Sequence, residues 1–307
     1  MALTMNAIEF GLGLRHMHSA VADAKIAEAL GYQFLTCGEH VFFHGACENS
    51  LVALAAAAGA TTSIKLMSTI TLVPLYPPSL LAKQIATLDQ VSNGRFHLGV
   101  GVGGEFEKEF KACGVPVNER GARTNEALTL MKRLWREDDV TFEGQFSSVH
   151  GVTLDPKPVQ IPHPPIWVSG RSEAAMKRCA KHGTGWLPYM VTPERLASSV
   201  KTISQLAAQA KRAEPITPGV FLFFTVHRHR EHAIKMATEH LSAQYQQDFS
   251  GLVGKYAVAG DPDTCIARLR QYADAGARTV IGYSACPDDY IVENESLFAK
   301  EVLPAFR

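Results

Sequence analysis

The sequence has no excess of either charge: 30 Lys and Arg stand against 30 Asp and Glu over 307 residues. A chain that grips a polyanion or lies on an anionic membrane is normally basic, so nucleic acid and membrane partners are excluded as the main ligand. A small phosphorylated ligand is not excluded, because a few backbone amides at a helix end can hold it. Long apolar runs are missing as well. The longest, such as Leu51–Ala60, fall far short of the ~20 residues that cross a bilayer. The opening MALTMNAIEFGLGLRHMH has neither the basic n-region nor the apolar h-region of a secretory leader, so the chain reads as soluble and cytoplasmic. The six cysteines (Cys37, Cys47, Cys113, Cys179, Cys265 and Cys286) contain no CxxC pair. In a chain of this length they read as free structural thiols in a reducing compartment. Low-complexity segments, charge blocks and Ser/Gly linkers are also absent. One composition runs through residues 1–307, and a single domain is expected.

What is present is a rhythm of short β-rich runs followed by helical patterns. Strands are expected at Ile8–Leu12, Gln33–Cys37, Ile64–Thr71, Phe96–Val100, Ile166–Ser169, Gly185–Leu187, Val220–Val226 and Thr279–Gly282. Helical patterns follow each of them. Ser19–Leu30 stops at Gly31, and Thr192-Pro193-Glu194 and Asp261-Pro262-Asp263 open helices with an N-cap and a first-turn proline. In Arg120–Arg136, Leu128, Met131, Leu134 and Trp135 share one face. Phe142–Leu154 reads as a hairpin excursion around Glu143-Gly144, between the fourth helix and fifth strand, and Asp155–Pro165, with five prolines, as an extended connector. The strand runs are continuously apolar, as for parallel strands buried on both faces. Eight βα units over this length predict an α/β fold, a closed (β/α)8 TIM barrel, with an open doubly wound sheet as runner-up. In a barrel, the active residues sit at the C-terminal ends of the strands.

Those ends offer several candidates. His16 and His18 after the first strand form an HxH pair, and His227 and His229 a second after the seventh. Imidazoles two apart can chelate, but the fifth, sixth and eighth strands end in Ser169-Gly170, Leu187-Pro188 and Gly282-Tyr283, which complete no ligand set. No metal is assigned, and a metal-dependent barrel hydrolase on His16 and His18 stays as an alternative. Glu39-His40 after the second strand suits a carboxylate orienting an imidazole for proton transfer. Gly99, Gly101 and Gly104 fit GxGxxG, but this run follows the fourth strand rather than opening the first βα unit, and it lacks the acidic partner of a dinucleotide fold. Small residues there would let a flat ring approach the barrel mouth. Ser169, Gly170, Arg171 and Ser172 lead directly into a helix, a place where free amides and the helix dipole favour phosphate.

Two stretches carry a resemblance: LGVGVGGEFEKEFKACGVPVNERGARTNEALTLMKRLWRE, and VTFEGQFSSVHGVTLDPKPVQIPHPPIWVSGRSEAAMKRCAKHGTGWLP. The chain resembles the bacterial luciferase-like family of flavin-dependent monooxygenases and oxidoreductases, most strongly from Ile64 to Pro188. The resemblance implies a (β/α)8 barrel that binds reduced FMN or, in one branch, the deazaflavin coenzyme F420. It implies that His40 lies near the reactive edge of the ring and moves protons, with Glu39 standing where many relatives have Asp. It also implies a non-prolyl cis peptide at Thr69-Ile70 behind the ring, with Val102 and Gly103 flanking the ring. Ser169, Gly170, Arg171 and Ser172 would hold the phosphate, and Trp186 would wall the pocket. Glu105, offset by one residue from the family's glutamate near the fourth strand, is carried over as a further cofactor contact.

The expected activity is oxidation of a small organic substrate by reduced FMN and oxygen, with deazaflavin hydride transfer as the alternative. Reduced flavin would come from a separate flavin or deazaflavin reductase. A non-catalytic flavin-binding barrel is the remaining class. The substrate pocket is expected to draw on His16, His227, Tyr283 and Ser284. A homodimer is implied by the resemblance alone.

Overall fold

The computed structural model describes residues 8–15 and 19–307. Eight parallel strands close into a ring: β1 (Glu9–Gly13), β2 (Phe34–Cys37), β3 (Lys65–Ser68), β4 (Phe96–Gly101), β5 (Ile166–Val168), β6 (Gly185–Trp186), β7 (Thr217–Val226) and β8 (Thr279–Ser284). Each pairs with the next, and pairing of Glu9 with Thr279 joins the last strand to the first. The ring leaves no free strand edge among these eight. Every residue of β2 and β5 is buried, which explains their unbroken apolar sequence.

Helices form the outer layer. The α-helices of six or more residues are α1 (Ala20–Ala29), α2 (Ser50–Ala60), α3 (Pro78–Val91), α4 (Glu107–Ala112), α5 (Arg120–Arg136), α6 (Glu173–His182), α7 (Pro193–Gln209), α8 (Arg230–Tyr245), α9 (Pro262–Asp274) and α10 (Ile291–Leu297). The expected face of α5 is buried, and the Trp135 indole N–H donates to Ala82 O on α3 at 3.0 Å. Asn49, Ser172, Thr192 and Asp261 cap their helices through side-chain oxygens. Phe34, Met67, Trp167, Leu187 and Ile281 form a cluster of their own. Beside them the Trp167 indole donates to His97 Nδ1 at 3.2 Å. That bond needs a bare Nδ1, and burial, followed by the nearby Lys65, pushes His97 down to about 3 and keeps it neutral.

The structure departs from the sequence expectation at three places. The Ile64–Thr71 run is two pieces, β3 and the short strand Thr71–Leu72, separated by a cis Thr69-Ile70 peptide. The second piece pairs with the end of β4. A strand at Ala257–Gly260, flanking the C-terminal half of β7, is additional to the eight. Its AVAG sequence has one β-branched residue and gave no strand signal. The hairpin excursion is present, but its strands are Val140–Glu143 and Ser148–Val152, so Glu143 ends a strand and the turn begins at Gly144.

Two features of this frame are specified by single residues. The first is the approach of β3 to β4. Ser68 Oγ donates to Gly99 O and accepts from Gly99 N at 2.9 Å. A Cβ on Gly99 would sit 1.9 Å from the Ser68 carbonyl oxygen, a backbone atom that cannot step aside. The second is a buried polar clamp that ties β1, α1, β8 and α10 together. Arg15 Nε lies 3.2 Å from Glu295 Oε2, and Arg15 Nη2 3.4 Å from Asp23 Oδ1. Ser284 Oγ donates to Glu295 Oε1, and Tyr32 Oη donates to the Glu295 carbonyl. Burial pushes the Glu295 carboxyl up to about 7, against Arg15 and Ser284 and with help from Asp23.

Gly99→Ala should therefore cost about 3 kcal/mol or more and lower the thermal midpoint by several degrees. Gly59→Ala, on the exposed side of α2 with open space around it, should gain about 0.5 kcal/mol. Equal midpoints for the two variants would refute the steric argument. For Glu295, the unfolded chain releases the proton near 4.5 and the folded chain near 7. Folding is disfavoured as pH climbs through that window, by roughly 3 kcal/mol in all. Glu295→Gln should gain on the wild type by up to this amount between pH 5 and pH 8 in denaturant unfolding. A difference independent of pH would show that Glu295 does not titrate there.

Candidate active site

A cavity of about 610 Å³ opens at the C-terminal ends of β2 to β6, within the roughly 300–1,000 Å³ usual for cofactor and small-molecule sites. Its wall follows the strand ends in order: Gly38, Glu39 and His40; Thr69, Ile70 and Leu72; Gly101, Val102, Gly103 and Glu105; Ser169 to Ser172; Leu187 and Tyr189. Phe221 of β7, Tyr245 of α8 and Cys47 complete it.

His40 and Glu39 are adjacent in sequence but differ in role. The Glu39 carboxylate accepts from Leu72 N at 2.8 Å, from Ser50 Oγ at 2.6 Å, from Ser50 N and from Tyr76 Oη. Burial raises its carboxyl, and these bonds oppose the rise. It fastens the β2 end to α2 and to the strand after the cis peptide. The expected Glu39–His40 pair is not formed. The carboxylate beside His40 is Glu109, from the short helix α4 after β4. His40 Nδ1 lies 3.2 Å from each Glu109 oxygen, and Val41 N donates to Glu109 Oε2 at 3.1 Å. Glu109 is fully buried, and the imidazole stacks on Phe43 with centroids 4.3 Å apart. Sequence reasoning missed Glu109, because nothing local separates it from the exposed Glu107 except the burial of Phe110 beside it.

The floor is the cis Thr69-Ile70 segment, in the place expected. A Cβ on Gly101 would fall 1.5 Å from Ile70 Cδ1. The glycines after β4 thus make room for this neighbouring segment as well as for a ligand; Gly99 does not border the cavity, while Gly101 and Gly103 do. Tyr283 is not part of the wall. It lies beneath the floor, where its hydroxyl meets Thr69 Oγ1 at 2.9 Å and its ring packs on Phe221.

The other end is the turn from β5 into α6. Ser169 N–H is spent on Val100 O. Among the described residues no hydrogen bond uses the N–H of Gly170, Arg171 or Ser172. Gly170 has φ +109°, and a Cβ there would meet Ala175 Cβ at 2.9 Å. Three consecutive amides at the N-terminus of a ten-residue helix, with Ser172 as its cap, make a cradle for an anion. The Arg171 guanidinium lies over the Tyr189 ring at 4.9 Å and donates to Met190 O. Tyr189 in turn donates to Glu105 across the rim. Glu105 is therefore a rim group engaged by a phenol. Trp186 is 1% exposed and lies behind the turn, its indole donating to Gly170 O at 3.1 Å. It supports the cradle and does not wall the cavity.

The remaining expected pocket residues lie elsewhere. Ser284 belongs to the Glu295 clamp. His227 packs against His229, His232 and Tyr290 away from the cavity. His16, with His18, lies outside the described residues. No cluster of three or more His, Cys, Asp or Glu suited to a metal occurs among the described residues. No helix among them is long and apolar enough to cross a membrane. Leu187, Tyr189, Phe221 and Tyr245 form a largely aromatic end of the cavity that the sequence reading did not anticipate. Cys37, buried at the end of β2, has its thiol raised by burial, and Cys47 on the wall is pushed up to about 11 by partial burial and by Glu48.

A family model described as luciferase-like monooxygenase matches residues 3–279. The chain belongs to the luciferase-like monooxygenase family. It is 29% identical over 298 residues to an FMNH(2)-dependent dimethylsulfone monooxygenase of Pseudomonas putida, covering 92% of this chain and 81% of that protein. It is 26% identical over 282 residues to an F420-dependent glucose-6-phosphate dehydrogenase of Intrasporangium calvum, covering 82% and 83%. The crystal structure of the monooxygenase RslO1 from Streptomyces bottropensis superposes with a TM-score of 0.86 at 25% identity, covering 98% of this chain and all of that one. The luciferase-like barrel read from the sequence is borne out, and the protein is an enzyme of the oxidoreductase class that this family comprises.

Proposed function

We propose that this luciferase-like enzyme binds reduced FMN and acts as a monooxygenase on a small organic substrate. One observation carries the reading: a single cavity has three unspent amides and Arg171 at one end and an imidazole held by a buried carboxylate at the other. The amides of Gly170, Arg171 and Ser172 suit a phosphate, and Gly101, Val102 and Gly103 leave a shallow wall for a flat ring over Ile70. When bound, reduced FMN supplies the electrons that activate oxygen, so that one oxygen atom enters the substrate and the other leaves as water.

The chain's own residues do the rest. The turn and Arg171 bind the phosphate and fix the ligand along the cavity. Ile70, Leu72, Leu187 and Phe221 exclude water from the reacting end. His40, with Nδ1 engaged by Glu109, holds or moves a proton at Nε2. The aromatic end of Tyr189, Phe221 and Tyr245 suits an uncharged organic substrate. A separate flavin reductase supplies the reduced flavin. The reading includes a homodimer, which rests on the family resemblance alone, and a cytoplasmic setting, which six scattered cysteines without a CxxC pair support.

Titration with FMN, reduced FMN and coenzyme F420, followed by calorimetry, tests the cofactor. Reduced FMN is expected to bind most tightly. Tighter binding of F420 would move the enzyme to the hydride-transfer branch, and binding of none of the three would sink the reading. Arg171→Ala should weaken FMN roughly 10- to 100-fold, the worth of a charge-assisted contact, while riboflavin, which lacks the phosphate, loses less than about threefold. Equal losses would refute the phosphate role.

A further inference from the structure

Glu109 poses a physical question that the cofactor reading leaves open. Its helix, α4, has six residues, with Glu107 and Lys108 exposed, yet Glu109 is 0% exposed. A buried carboxylate is costly unless donors satisfy it. Among the described residues its side-chain partners are His40 Nδ1 at 3.2 Å from both oxygens and Val41 N at 3.1 Å from one. It has no Lys or Arg ion-pair partner among the described residues. A carboxylate accepts and does not donate. A bare Nδ1 would therefore face it lone pair to lone pair at hydrogen-bond distance.

We propose that Glu109 is a positioning residue that acts through His40, fixing its Nδ1–H form and so making Nε2 the one atom at which the imidazole exchanges a proton with the cavity. The proposal rests on the reading of His40 as the proton-handling group. Three contacts support it from different directions. The two-oxygen contact fixes which nitrogen carries the proton. The Phe43 ring, stacked at 4.3 Å and 18°, fixes the plane of the imidazole. The Val41 amide ties the following residue to the same carboxylate, so the segment after β2 is fastened to α4 at both His40 and Val41. A carboxylate holding one ring nitrogen so that the other faces the reaction is a general way to orient a histidine. Here the carboxylate comes from a different strand end. It is not the sequence neighbour Glu39, whose four contacts are structural.

The test starts without cofactor. Long-range proton–nitrogen NMR of the ¹⁵N-labelled protein, with His40 assigned from a His40→Gln sample, reads the tautomer directly. In its neutral form the native ring is expected to carry its proton on Nδ1; an Nε2–H form in the native protein would overturn the proposal without any further variant. Glu109→Met, which keeps volume and removes both acceptors, should release the ring to the Nε2–H form. Glu109→Gln, whose amide oxygen still accepts from Nδ1, should retain the native form. With reduced FMN bound, Glu109→Met should slow consumption of the reduced flavin by oxygen by roughly tenfold or more, with FMN affinity changed less than about threefold. Glu109→Gln should recover much of that rate. Parallel loss of affinity and rate with an unchanged tautomer would make Glu109 a structural staple and overturn the proposal. Failure of flavin to bind the wild type would instead defeat the cofactor reading, while the tautomer result would stand by itself.

Discussion

The contact between Ser68 and Gly99 is the constraint on which the active end of this barrel depends. One hydroxyl bridges both backbone groups of a residue that can have no side chain. This brings the ends of β3 and β4 closer than two ordinary strand ends. The chain then leaves β3 through the cis Thr69-Ile70 segment and returns to pair with β4 two residues later. Ile70 fills the space above Gly101, Thr69 meets Tyr283 from below, and Leu72 N supplies a donor to Glu39. The cavity floor, the end of β2 and the start of α2 are thus placed by one close approach deep in the ring.

Three glutamates around the cavity show how burial and partners set the role of the same side chain. Glu39 is buried among donors from three elements and serves as an anchor. Glu109 is buried against an imidazole and one amide. Glu105 is exposed at the rim and engaged by Tyr189, on whose ring Arg171 lies. Chemistry at the site follows from the donors each carboxylate meets rather than from its distance along the chain to His40.

The barrel was legible because its signals are local and repeated: apolar runs, caps, and turns of proline and glycine. The turn with unused amides before α6 was legible for the same reason, since Gly170 and Ser172 act within one turn of their own helix. The carboxylate beside His40 was not, because Glu109 and His40 meet across 69 positions. Trp186 was placed in the wall because the resemblance supplies a location but not the direction in which an indole points. Ser284 and His227 follow strands at the correct end, yet α10 and the histidine cluster after β7 draw them away. The Ala257–Gly260 strand was invisible because pairing with the end of β7 organises a segment of small residues with little strand preference of its own.

The cysteines have a consequence for durability. Thiol reactivity resides in the thiolate. Burial keeps Cys37, directly beside the cavity, in its protonated form, and Cys47, on the wall, has a pKa of about 11. The sulfur beside the cavity is thereby held as thiol, its least oxidisable form, and at Cys37 the packing that shapes the pocket also guards against oxidation.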